Sequence, residues 1–277
     1  YAPGTGPGAI YDIYRSCPDA KGPACPSGTW YEAGWNAMER DLRNALAERL
    51  RTSKTKGRPF THLVIAATGW RNAQDESLHV YRDILDGLQA AGPSGSFRPL
   101  VVCVTWPSTW ATLDKLSFQN KWHYADEVGQ TYMAWLLHRL APDLKRDHGL
   151  KVVVIGHSFG ARLVTRGLYG RPFLGDPAPP GDEVDLLVAL QGAFSVRRFL
   201  PFGGNEPVYA SEAAGPTRVI ATWSKYDRYV GLADPLPLGD DEERYIGGRK
   251  GSAEVAKTGG DRFVRLDGDL IGRMSPR

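Results

Sequence analysis

Apolar residues recur along this chain in two alternating patterns: helical spacing, and short runs with few polar interruptions. Within residues 30–51, Trp35, Met38, Leu42, Leu46 and Leu50 recur every three or four positions, with Glu39, Arg40, Arg43 and Glu48 between them. That spacing predicts an amphipathic helix, followed by a basic turn over 54–59. Residues 60–67 form a largely apolar run and read as a strand. Helical spacing returns over 77–91, where Val80, Ile84, Leu85 and Leu88 share a face and Gly92-Pro93 stops the helix. A strand over 100–105 ends in Trp106-Pro107, and a helix over 125–140 carries Val128, Tyr132, Trp135, Leu136 and Leu140. Residues 152–155 are the next strand, with a helix running on to about residue 169. Three further strands are expected at 184–190, 218–223 and 263–266. Strands that lack polar alternation and are separated by helices predict an α/β protein, its mostly parallel sheet flanked by helices. No internal repeat is visible. The expected organisation is an N-terminal arm over 1–29 and a single domain over 30–277.

The most informative stretch is Lys151-Val-Val-Val-Ile-Gly-His-Ser-Phe-Gly-Ala-Arg-Leu-Val164. It reads as a buried strand, a tight G-x-S-x-G turn and a helix start, which is the context that gives this motif meaning. A serine on such a turn has strained backbone angles and little room, and Gly156 and Gly160 relieve the crowding. The helix after it aims N–H groups at the space above Ser158, where negative charge would develop. Ser158 is therefore the candidate nucleophile, against the plainer reading of an incidental glycine turn.

Acyl transfer also needs a base, an acid that orients the base, and oxyanion donors. In an open parallel sheet these lie just past the strand ends. Beyond the strand at 218–223 comes Asp227, placed in chain order where the acid of an elbow enzyme belongs; a turn-capping aspartate is the alternative. Asp185 begins a strand and competes poorly. Beyond the first strand comes Thr68-Gly69-Trp70. Gly69 lets the backbone turn under the site, so that the N–H groups of Trp70 and Phe159 are the expected oxyanion donors. A plain strand-ending turn is the alternative there.

Composition narrows the field. The chain has 277 residues, 42% of them hydrophobic, and its formal net charge is only +3. That balance, without a basic run, gives no case for nucleic acid. No apolar stretch of about 18 residues is present to span a membrane. Cys17 and Cys25 flank a turn-rich loop and are expected to form a local disulfide, with free surface thiols as the alternative. Together with the Tyr1 start this favours an extracytoplasmic, periplasmic or secreted, protein. Cys103 lies in an apolar run and reads as a buried inert thiol. Asp240-Asp-Glu-Glu243 lacks the spacing of a calcium loop, and no metal or organic cofactor is implied. The loops over 171–183 and 192–217 read as lids. The second carries Phe194, Phe199, Phe202 and Tyr209, which either line a site or pack onto the core. Trp106 and Trp110 are placed to border the same cleft.

Several segments together resemble a bacterial, largely uncharacterised group of α/β-hydrolases with an HGW-type segment after the first core strand. They are Thr68-Gly69-Trp70-Arg71-Asn72-Ala73, Val104-Thr-Trp106-Pro107, Gly156-His-Ser158-Phe-Gly-Ala-Arg162 and Ser224-Lys-Tyr-Asp227. Gly231-Leu-Ala-Asp-Pro-Leu236 and Tyr245-Ile-Gly-Gly248 complete the set, and the similarity spans roughly residues 60–270. The resemblance implies Ser158 as nucleophile and Asp227 as acid. Thr68 stands where the group has a histidine that orders the oxyanion loop. The catalytic histidine of the group follows the last strand, yet His62, His79, His123, His138, His148 and His157 all precede Ser158.

The expected function is therefore a serine hydrolase, esterase- or lipase-like, cleaving a small-molecule or lipid ester. Its histidine would come from a C-terminal segment beyond residue 277 or from a partner chain; His79 and His123 are the upstream candidates. The alternative is a non-catalytic binding or scaffold protein on a degenerate hydrolase fold, since fold does not fix function.

Overall fold

The computed structural model describes residues 30–70, 74–91, 96–106, 108, 118–170, 184–200, 217–223, 245–248, 251, 253, 255, 257 and 263–266. The expected Cys17–Cys25 disulfide, Asp227, Phe202, Tyr209, Trp110, the 171–183 loop and the 240–243 acidic run lie outside them. The chain divides into two compact units, Tyr1–Phe60 and Thr61–Arg277.

In the first unit, helix α1 (Trp30–Thr55) carries the expected stripe, with Met38, Leu42, Leu46 and Leu50 buried. It runs through the start of the predicted basic turn. Arg51–Glu48, an exposed i to i+3 pair, and Arg43–Glu39, a half-buried i to i+4 pair, lie along this helix and add only tenths of a kcal/mol each.

The second unit is built on six strands: β1 (His62–Ala67), β2 (Pro99–Val104), β3 (Lys151–His157), β4 (Leu186–Leu190), β5 (Arg218–Thr222) and β6 (Phe263–Leu266). Their order across the sheet is β2-β1-β3-β4-β5-β6, and every pairing is parallel. Parallel strands need crossovers of a dozen or more residues. Those crossovers include α2 (Gln74–Ala91), α3 (Phe118–Val128), α4 (Ala141–His148) and α5 (Phe159–Tyr169).

Side chains alternate between the two sheet faces. Val64, Ala66 and Ile155 point to one face, where Tyr81, Ile84 and Leu88 of α2 pack on them together with Val101, Val153 and Val188. Leu63, Ile65, Val152, Val154 and Leu187 are buried on the alternate positions, and α4 and α5 lie against β1 and β3. Burial on both faces is why the strands read as unbroken apolar runs.

The helix predicted over 125–140 is part of a longer helical stretch. Between α3 and α4 it opens into two π-helical turns, Gly129–Met133 and Leu136–Leu140. Here the backbones run unusually close. A side chain at Gly129 would meet the Leu163 carbonyl oxygen at 2.7 Å, and one at Gly167 would meet Met133 Cγ at 2.6 Å.

Candidate active site

The strands end in register. Ala67 pairs with Val104 on one side and Gly156 on the other, His157 pairs with Leu190, and Leu190 with Thr222. The segments after β1, β2, β3, β4 and β5 therefore emerge along one edge of the sheet. From β1 the chain first crosses to β2 on one side, then returns through β3 on the other. The crevice at that reversal, between the exits of β1 and β3, is where open α/β sheets bind ligands. Ser158 and Thr68-Gly69-Trp70 both stand there.

Ser158 joins β3 directly to α5, with φ 54° and ψ −120°. Among the described residues only Ser158 and Gln191 combine a side chain with positive φ. Such a conformation costs a non-glycine residue about 1–3 kcal/mol and persists only where the surroundings over-determine it. Four backbone bonds supply that constraint. The Ser158 N–H donates to the Leu190 carbonyl at 2.9 Å, and the Ser158 carbonyl accepts from Ala161, Arg162 and Ala193 at 3.0, 3.3 and 3.1 Å.

The two elbow glycines are where the sequence placed them, for the physical reason expected. A side chain at Gly156 would strike the Ala161 backbone and, at 2.6 Å, the Gly160 carbonyl oxygen. One at Gly160 would strike the carbonyl oxygens of Ala67 and, at 2.6 Å, of Thr68. The first turn of α5 thus lies directly on the exit of β1. Phe159, at the opening of α5, is fully buried.

The β1 exit is held in a different way. The Thr68 N–H donates to Tyr81 Oη at 2.9 Å, its carbonyl accepts from Trp106 Nε1 at 2.8 Å, and its hydroxyl shares a 2.9 Å bond with Ser77 Oγ. Tyr81 Oη donates in turn to the Val104 carbonyl, and burial pushes its phenol pKa up. Thr68, where the resembled group has histidine, is thus itself bonded on three sides. Gly69 comes next, close enough that a side chain there would meet Ser158 Cβ at 2.9 Å, and half-buried Trp70 follows.

Trp106 is buried and does not border an open cleft as expected, because its indole N–H is used to hold Thr68. Phe194 and Phe199 are buried as well. Their rings contact edge to face, 5.9 Å apart, and Phe199 meets Tyr169 at 5.2 Å, so both belong to the core. Cys103 is half-buried, with its thiol pushed up to about 12 by burial, and stays protonated as expected for an inert thiol.

The sequence also missed an ion cluster behind the elbow. Arg162, one helical turn after Ser158 and 2% exposed, holds Asp126 of α3 in a bidentate pair, Nε to Oδ1 at 3.0 Å and Nη2 to Oδ2 at 2.6 Å. Arg198, in the short 3₁₀ turn Val196–Arg198 after β4, donates to the same carboxylate at 3.2 Å. Burial alone would push the Asp126 carboxyl up, but Arg198 and Arg162 outweigh it and hold it below its ordinary value. An arginine inside an apolar helix is a signal that a buried acid faces it; which acid is a matter of the fold.

None of the six histidines is hydrogen-bonded to Ser158 among the described residues. His62 opens β1 at the far end of the sheet, bonded to Thr61 and beside Phe97. His79, His123 and His148 are exposed, His123 stacked on Trp122. His138 is bonded through Nε2 to the Gly167 carbonyl at 2.8 Å, and burial pushes its pKa down. His157 sits against Gln191 Oε1 at 3.2 Å. Among the described residues no group of three or more His, Cys, Asp or Glu is placed to hold a metal ion, and no helix is long and apolar enough to cross a membrane.

Residues 39–170 match the family described as "Alpha/beta hydrolase of unknown function (DUF900)". The match covers just under half of the chain, and the parallel sheet flanked by helices is the α/β architecture the sequence predicts. No curated protein matches the sequence. Among solved structures, the chain is similar to esterase 2 of Thermogutta terrifontis with propionate bound, at 12% identity and a TM-score of 0.39, covering 76% of this chain and 73% of that one. It is also similar to TT1662 from Thermus thermophilus, at 14% identity and 0.34 over 75% and 79%. A lipase/esterase from Lactobacillus plantarum aligns at 11% identity and 0.33 over 77% and 80%.

Proposed function

We propose that this chain is an α/β-hydrolase-type serine esterase that cleaves a small-molecule or lipid ester through an acyl-enzyme on Ser158. The observation that carries the reading is the backbone of Ser158, held at φ 54° and ψ −120° in the crevice between β1 and β3. Four bonds and two side-chain-intolerant glycines maintain a costly conformation whose effect is to present one hydroxyl at the sheet edge.

In this reading Ser158 Oγ attacks the ester carbonyl carbon while a histidine base takes its proton. The carbonyl oxygen becomes an oxyanion facing the N–H groups of Trp70 and Phe159. Collapse breaks the ester bond, and the histidine returns the proton to the departing alcohol. Water, deprotonated by the same base, then releases the acid. Asp227 orients the histidine. None of the six histidines of residues 1–277 is hydrogen-bonded to Ser158 among the described residues, which favours the competing reading, a binding or scaffold protein on the same fold. Labelling of the natural full-length protein with a fluorophosphonate, beside Ser158→Ala, decides between the two. Labelling confined to the wild-type protein is expected; an unlabelled wild-type protein would overturn the esterase reading in favour of the scaffold.

A further inference from the structure

We infer that Tyr81 is a positioning residue for the oxyanion side of this site, acting through Thr68 and not on the substrate itself. The inference rests on the esterase reading and adds to it a residue that no elbow motif contains.

The physical case begins at the end of β1. Ala67 is the last residue of the strand paired to both neighbours, so the sheet ceases to define the backbone at Thr68. Its two backbone groups are then taken by side chains. Tyr81 Oη accepts from the Thr68 N–H at 2.9 Å, and Trp106 Nε1 donates to the Thr68 carbonyl at 2.8 Å. Tyr81 completes a bridge between two strand exits, since its hydroxyl donates to the carbonyl of Val104, the last residue of β2. One phenol thus replaces a missing rung between β1 and β2, one residue beyond the ladder.

The consequence falls on the next peptides. The carbonyl group of Thr68 and the N–H of Gly69 belong to one planar unit, and the Gly69–Trp70 peptide follows it. Gly69 lies against Ser158, so a small rotation at Thr68 moves the Trp70 N–H relative to the serine hydroxyl. Glycine has no side chain to resist that rotation. Without the Tyr81 hydroxyl, a buried N–H and a part-buried carbonyl both lose this partner, and the turn is free to find other ones. Removing an oxyanion donor outright costs about 10²–10³ in rate; loosening one is expected to cost about 10–100-fold.

The test uses the natural full-length protein and a short-chain p-nitrophenyl ester. Tyr81→Phe keeps the ring, which packs with Val64, Ala66 and Ile155, and removes only the hydroxyl. The expected result is a fall in kcat of about 10–100-fold with KM changed less than about twofold, together with faster amide exchange at residues 68–70. Ile84→Val, on the same face of α2, is the control and should leave both constants unchanged. Trp106→Phe provides a second route, removing the other bond to Thr68 with a loss in kcat of the same kind. The inference is overturned if Tyr81→Phe and Trp106→Phe fold and match the wild type in kcat, or if Ile84→Val loses kcat as they do. A wild-type protein without Ser158-dependent labelling overturns the esterase reading, and this inference with it.

Discussion

The exits of β1 and β3 lie side by side in one crevice, yet they are held by opposite means. Ser158 is held by its own neighbourhood: flanking glycines, the helix that starts beside it, and backbone bonds from the β4 exit. The Thr68-Gly69-Trp70 turn is held by side chains from elsewhere, Ser77 and Tyr81 on α2 and Trp106 after β2. The elbow stores strain in a rigid frame, whereas the turn beside it is an unstrained loop tied at Thr68. Rigidity at Ser158 is therefore largely a backbone property. At the Thr68-Gly69-Trp70 turn it is a property of three side chains.

The largest effect that would test this contrast lies behind the elbow. Asp126→Ala would leave Arg162 and Arg198 buried without the shared carboxylate. An expected loss of about 3–5 kcal/mol follows from breaking a buried ion cluster by removing one partner, read from urea unfolding of the natural protein. The same group sets an acid limit. Its carboxyl titrates below its ordinary value in the folded state, so its contribution is complete above about pH 4 and is lost as pH falls through the folded value. Asp126→Ala should flatten that acid limb. An acid limb equally steep in the variant would show that Asp126 does not brace the elbow helix.

A smaller effect is expected where the two exits touch. Gly160→Ala drives a methyl group into the carbonyl oxygens of Ala67 and Thr68, an overpacking cost of about 1–3 kcal/mol. Since it pushes the elbow helix away from the β1 exit, Ser158 labelling should slow even under conditions where the variant is folded. Full labelling with unchanged stability would mean the two exits are not in the close contact described.

The smallest effect has the opposite sign. Ser158→Gly removes the candidate nucleophile but also the positive-φ cost, and should raise stability by about 1 kcal/mol. Ser158→Ala should not, because alanine keeps the cost. Equal melting temperatures for the two variants would argue that no strain is held at this turn.

Much of this was legible along the chain. Apolar runs and helical spacings located the strands and helices because a sheet buried on both faces leaves no room for polar alternation. The edges shifted by a few residues where pairing outlasts the apolar run, as at Gly156 and His157 in β3. The helix expected over 125–140 was legible as helix, but its π turns were not, since they accompany a close approach between backbones that periodicity does not encode. Gly69 could be read as a turn, but its approach to Ser158 could not. Trp106 read as a cleft residue because an indole carries no sign of whether its N–H will be satisfied inside or outside. Phe194 and Phe199 were left open for the same reason and proved to be core.

What the sequence determined by itself is the elbow: Gly156, Ser158 and Gly160 follow a β-branched strand within a few residues, so steric crowding alone dictates their spacing. Tertiary structure decided the rest of the crevice. Tyr81, Trp106 and Ser77 meet Thr68, and Arg162 and Arg198 meet Asp126, across 9 to 72 positions of chain. Hydrogen bonds and ion pairs at that separation are chosen by how the sheet orders its strands, and a side chain in the sequence does not name its partner.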